Sequence, residues 1–155
     1  MGEETIAAEL VLALIEREWK LGTVECGVDG IVSHRIFDTP DGVTVLGNSL
    51  IVDDVKEAIG LLGLPRPQFK KAGDFSAKAA RAAAREGRAF LGVNVCLAVW
   101  GPAATDNSDA QKTIHIACHT GRDVLDQTLH LEEEKERAVD WIVEQSLNLV
   151  RSVLL

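Results

Sequence analysis

The stretch Thr23-Val24-Glu25-Cys26-Gly27-Val28-Asp29-Gly30 decides how this chain is read. A short apolar strand breaks at a glycine-flanked turn, and a helical pattern resumes at once from Val28 to Phe37, carried by Ile31, Val32, Arg35 and Ile36. Sites for nucleophiles and anions are built on that geometry. A side chain at such a turn points off the sheet edge toward the next helix, whose unpaired N–H groups and dipole favour negative charge. Cys26 holds this position, which offers its thiol a route to partial ionisation.

Upstream, Ile6, Leu10, Ala13, Leu14 and Ile15 follow helical spacing from Thr5 to Lys20, and Gly22 ends that amphipathic helix before a strand at Thr23–Glu25. Downstream, Pro40-Asp41-Gly42 is a turn, and the β-branched run Val43–Val52 favours a strand. Asp53 or Asp54 caps a helix reaching about Leu62, and Gly63, Pro65 and Pro67 close that unit. Ser76 opens an alanine-rich helix to Glu86 with Gly87 as its stop, and Phe90–Trp100 is apolar enough for a buried strand. After a polar loop at Ala103–Asp109, Gln111–Thr120 alternates, and Gly121-Arg122-Asp123 connects it tightly to a partner strand, Val124–Leu131. Glu132–Leu155 is a last amphipathic helix. The order α-β-α-β-α-α-β-β-β-α predicts a mixed sheet covered by helices on both faces, with an antiparallel pair late in the chain.

The bulk properties narrow the function classes. A chain of 155 residues that is 46% hydrophobic can bury a proper core, and no linker marks a domain boundary. Its net charge of −8 argues against a nucleic-acid binder, which needs clustered Lys and Arg. No apolar run reaches membrane-spanning length, and the opening Met-Gly-Glu-Glu lacks a basic signal-peptide region. Cys26, Cys96 and Cys118 form no CxxC pair, which suits a reduced, cytoplasmic setting.

Two constellations invite chemistry. His115, Cys118 and His119 are zinc-ligand types, but on a strand Thr113, His115, Ala117 and His119 share one face while Ile114, Ile116 and Cys118 share the other, so no metal site is expected. Lys78, Arg81, Arg85 and Arg88 fall near one face of the alanine-rich helix and read as a solvated surface. Trp100 stands beside the Gly101-Pro102 turn at a strand end, where open α/β sheets place ligands. Cys26 is the best nucleophile candidate, and His34 lies two helical turns along, a long reach down the helix axis for a base.

Taken together, these segments resemble the C-terminal domain of the CinA family, whose active members are nicotinamide-nucleotide amidases. Thr23–Gly30 stands where the family carries Thr-Ala-Glu-Ser-Cys-Thr-Gly-Gly. Arg35-Ile36-Phe37-Asp38-Thr39-Pro40 is similar to its Arg-Leu-Thr-Asp-Val-Pro, and Leu61-Leu62-Gly63-Leu64-Pro65 to its Leu-Leu-Gly-Val-Pro. Gly73-Asp74-Phe75-Ser76, Ala98-Val99-Trp100-Gly101-Pro102 and Glu136-Arg137-Ala138-Val139 are further echoes. The resemblance implies one domain over residues 1–155 with a three-layer α/β/α sandwich around a mixed sheet, assembled as a homo-oligomer and using no cofactor.

The resemblance also implies a serine nucleophile assisted by a tyrosine and a lysine, and here those positions hold Cys26, Asp53 and Ala58. The threonine and arginine expected to meet a nucleotide phosphate fall on Leu97 and near Leu131, and Asp29 adds a negative charge at the turn. The leading expectation is a catalytically impaired relative that binds a nucleotide-like small molecule through Gly27, Gly30, Gly101 and Pro102. The alternative is an amidohydrolase with Cys26 as nucleophile, helped by Glu25, Asp53 or His34. A third class, an interaction module, rests on the apolar helices at both ends.

Overall fold

The computed structural model describes residues 2–65, 75–101, 113–131 and 135–154. Its elements are α1 (Gly2–Arg17), β1 (Leu21–Cys26), α2 (Ile31–Asp38), α3 (Gly42–Val45), β2 (Leu46–Val52), α4 (Val55–Leu62), α5 (Ala77–Leu91), β3 (Val95–Trp100), β4 (Thr113–His119), β5 (Val124–His130) and α6 (Lys135–Leu154). The strands form one sheet in the order β2-β1-β3-β4-β5. β2, β1 and β3 run parallel, β4 pairs antiparallel with β3, and β5 pairs antiparallel with β4 and so runs in the direction of the first three, which is the expected mixed sheet.

Helices cover both faces. On one, α1 and α6 bring Leu10, Leu14, Val143, Leu147 and Val150 against Leu97, Val99, Ile116 and Cys118. On the other, α4 and α5 supply mostly alanine, with Ala58, Ala80, Ala83 and Ala84 packed over Val24, Cys26, Cys96 and Trp100. Alternation along each strand divides these two cores: Ile116 and Cys118 enter the first and Ala117 the second, so Cys118 lies on the opposite face from His115 and His119.

Several boundaries differ from expectation, each for a packing reason. The stretch expected as one strand over Val43–Val52 begins instead with the helical turn α3. A Cβ on Gly42 would stand 1.7 Å from the carbonyl oxygen of Ile36, so only glycine lets this turn lie against α2. Gly87 does not stop α5. The helix continues to Leu91 and ends at Gly92 in the left-handed region, φ 67°, and strand β3 starts at Val95 instead of Phe90. A Cβ on Gly87 would meet Val24 Cγ2 at 2.6 Å and Cys96 Sγ at 3.0 Å, so this glycine serves the close approach of α5 to the sheet. Likewise α2 starts at Ile31, later than Val28, because Gly27, Asp29 and Gly30 all take positive φ.

Candidate functional site

The parallel strands end together, and hydrogen bonds between neighbours lock the ends. The Gly27 N–H donates to the Val52 carbonyl at 3.0 Å, and the Gly101 N–H donates to the Cys26 carbonyl at 3.1 Å. Gly27 and Gly101, both expected at a ligand site, are therefore the first residues past β1 and β3 and sit side by side with Asp53, which follows β2. Gly30 lies across the turn at the entrance to α2. Pro102 lies outside the described residues.

Glu25 and Cys26, adjacent in sequence, serve opposite layers. Glu25 shares its face with Thr23 and points at α2, whose N-cap, Gly30, has no side chain to offer. Its carboxylate takes that role from the strand: Oε1 accepts from Val32 N at 2.8 Å, and Oε2 accepts from Ser33 N at 3.0 Å and from Thr23 Oγ1 at 3.0 Å. The helix end that ordinarily attracts an anion is thus filled by the chain's own buried carboxylate. Thr23 Oγ1 extends the network to Ser49 Oγ at 2.8 Å, tying β1 to β2.

Cys26 faces the α4–α5 layer and is fully buried with Val52 and Trp100. Burial pushes its thiol up to about 12, and the carboxylates of Asp54, Asp53 and Glu57 push the same way. The expected partial ionisation is therefore reversed, because alternation turns Cys26 away from the α2 N-terminus and places it above a cluster of carboxylates. At pH 7 a thiol with that value is about one part in 100,000 thiolate. Asp53 is exposed, and Asp54 caps α4 by accepting from Lys56 N at 2.9 Å. Ala58, expected from the resemblance to stand at a lysine position, is fully buried in the same layer. Leu97 is buried in the opposite core, and Leu131 is half-buried against that core.

The register sets Val52, Cys26, Trp100, His115 and Thr128 in one row across the sheet. Sequence spacing gives no hint of this row, since strand order and register decide it. His115 Nδ1 lies 3.0 Å from Thr128 Oγ1, and burial lowers its pKa, as does the nearby His130, against an opposing pull from Asp126. Its imidazole is therefore neutral at pH 7, the form able to accept a proton. It stands two strands from Cys26, about 10 Å away with Trp100 between them. His34 is in the opposite layer, its Nε2 3.2 Å from Asp38 Oδ2 on the exposed side of α2. The structure thus brings neither histidine to the thiol.

The three arginines of α5 have structural partners. Arg81 pairs with Asp126 at 3.0 Å, Arg85 approaches Glu86 at 3.3 Å, and Arg88 Nε donates to the Asn94 carbonyl at 2.8 Å. Among the described residues no group of three or more His, Cys, Asp or Glu is placed to hold a metal, and no helix is long and apolar enough to cross a membrane. An open groove of about 530 Å³ runs between α2 and β2, lined by Gly30, Ser33, Phe37, Asn48, Ser49 and Ile51. Gly30 therefore borders this groove, which the residue pattern did not reveal because it forms only where an edge strand meets the helix crossing over it.

The arrangement has close structural counterparts. A competence or damage-inducible protein from Enterobacter asburiae superposes with a TM-score of 0.91 at 17% identity, covering 100% of this chain and 99% of that one. The competence/damage-inducible protein from Agrobacterium tumefaciens gives 0.90 at 15% identity, covering 100% and 97%. In sequence, a CinA-like protein of Dictyoglomus turgidum is 25% identical over 157 residues, covering 99% of this chain and 38% of that protein. A CinA-like protein of Geotalea uraniireducens is 27% identical, covering 94% of this chain and 37% of that protein. The chain thus spans less than two fifths of the length of these curated relatives. The model of the CinA C-terminal domain matches residues 3–154, and with the mixed five-stranded sheet and its two helical layers this establishes that the chain belongs to the CinA C-terminal domain family.

Proposed function

We propose that this chain binds a nucleotide-like small molecule at the ends of its parallel strands, beside Gly27, Gly101 and Asp53, without hydrolysing it. The observation that carries this reading is the state of Cys26. Its thiol is buried and held protonated at a pKa of about 12, and the neighbouring position that would supply a proton acceptor is the apolar Ala58. A thiol held protonated, to which neither His34 nor His115 is brought, is a poor nucleophile for an amide. Open α/β sheets bind ligands beyond the carboxyl ends of their strands, which favours this end of the sheet for the retained function.

The carboxylates there shape the ligand. Asp53, Asp54 and Glu57 all act on Cys26, and Asp29 stands in the adjoining turn, so negative charge is disfavoured and a nucleoside is preferred over its phosphate. Two measurements test this. Purified protein incubated with nicotinamide mononucleotide is expected to release no ammonia above the blank. Steady release that disappears in Cys26→Ala overturns the reading in favour of a thiol amidohydrolase. Calorimetric titration with nicotinamide riboside and its 5′-phosphate is expected to show saturable heat, tighter for the riboside. Absence of heat with both overturns the binding role.

A further inference from the structure

The outer edge of β5 carries a pattern that the proposed ligand site does not use. The turn between β4 and β5 fixes which backbone groups of β5 are free. Thr120 N donates to the Asp123 carbonyl at 2.9 Å, so these two form a hydrogen-bonded pair, and the following pairs alternate. His119 with Val124, Ala117 with Asp126, His115 with Thr128 and Thr113 with His130 are then the non-bonded pairs. The 3.0 Å approach of the His115 and Thr128 side chains fits, because side chains lie closest in such pairs. Val124, Asp126, Thr128 and His130 therefore turn their N–H and C=O groups away from β4, where no strand among the described residues pairs with them.

We propose that β5 pairs antiparallel with β5 of a second copy of this chain, across a two-fold axis at Thr128. In this register Asp126 stands opposite the partner's His130, twice by symmetry, and Thr128 stands opposite itself. On the other face Leu125 meets the partner's Leu131. Paired threonines and paired apolar side chains are combinations that stabilise facing strands, and the Asp126 carboxylate can accept a hydrogen bond from the partner's His130 ring N–H. A copy centred on Asp126 sets two carboxylates against each other, and one centred on Gln127 sets Asp126 opposite Thr128 and leaves His130 opposite Val124, so the register centred on Thr128 is the self-complementary one of the three.

The surroundings suit such a contact. Val124 and Leu125 are 43% and 40% exposed, and β5 contains no lysine, proline or bulge to block pairing. Gln127 Nε2 donates to Gln145 Oε1 at 3.1 Å, which holds α6 over β5. Trp141, one turn before Gln145 on the same helix face, is 37% exposed. The opposite edge lacks these features. There β2 carries an irregularity, with Leu21 opposite Leu46 but Thr23 opposite Ser49, and a bulge of this kind protects an edge from pairing.

The mass of the full chain in solution tests the proposal, expected near twice 16.8 kDa at micromolar concentration. Asp126→His or His130→Asp alone sets like groups opposite each other and is expected to raise the dissociation constant about tenfold or more, and the double exchange to restore it. Thr128→Cys is expected to form an intermolecular disulfide on mild oxidation, and Val124→Cys is not, because the three native thiols are buried and position 124 has no symmetric partner in this register. The cross-linking test does not depend on Asp126, which also holds Arg81. A monomeric mass, a dimer indifferent to both single exchanges, or a Thr128→Cys protein that does not cross-link overturns the proposal.

Discussion

Glu25 shows how one buried carboxylate organises the turn that leads the chain from β1 into α2. It accepts two helix N–H groups and one hydroxyl, so no donor at that helix end is left for a ligand. Glu25→Gln replaces one acceptor oxygen with a donor facing N–H groups that also donate. Chemical denaturation is expected to show a loss of about 2 kcal/mol with an unchanged m-value. Ser146 presents the reverse case. Its hydroxyl is buried in the helical layer with no partner among the described residues, and Ser146→Ala is expected to raise stability by about 1 kcal/mol in the same measurement. Cys26 is expected to resist alkylation in the folded protein. What reaction does occur should rise about tenfold per pH unit toward 12, because only the thiolate attacks; a plateau near pH 8 would show a thiol far more acidic than its surroundings dictate.

At the scale of elements, the contact between α5 and the sheet depends on small residues. Alanines line the helix, and Gly87 faces Val24 and Cys96 so closely that an added methyl group has no room. In an exposed helix Gly→Ala stabilises by about 1 kcal/mol, but here the clash outweighs it and Gly87→Ala is expected to destabilise by about 1–3 kcal/mol. A melting temperature above that of the native protein would show that α5 shifts to make room. Gly92 ends the same helix with open space around its missing Cβ and φ 67°, so Gly92→Ala costs only backbone strain, about 1 kcal/mol. The two glycines, five residues apart, thus do different work, and a stop-signal reading applies to only one of them.

For the molecule as a whole, buried titratable groups bound the pH range of stability. His115 and His119 have lowered pKa values in the fold, chiefly from burial, so the unfolded chain binds their protons first and stability falls as pH drops below about 6.5. The three thiols are raised by burial, Cys26 and Cys96 to about 12, so their contribution is present below pH 9 and is lost as pH rises from 9 through 12. Melting temperature against pH should therefore form a plateau between these limits, and replacing all three cysteines with alanine should flatten its alkaline side. Apolar periodicity, punctuation by Gly and Pro, and the motifs around Thr23–Gly30 made the mixed α/β/α fold and its family legible from the sequence alone, because those signals are local. Alternation even separated Cys118 from the two histidines beside it. The face on which Cys26 lies, the filling of the α2 N-terminus by Glu25, the row from Val52 to Thr128 and the place of β5 as the outer strand among the described residues were decided only in three dimensions. Each depends on strand order, register and the depth at which a group is buried, and these are set by contacts between residues far apart in the chain.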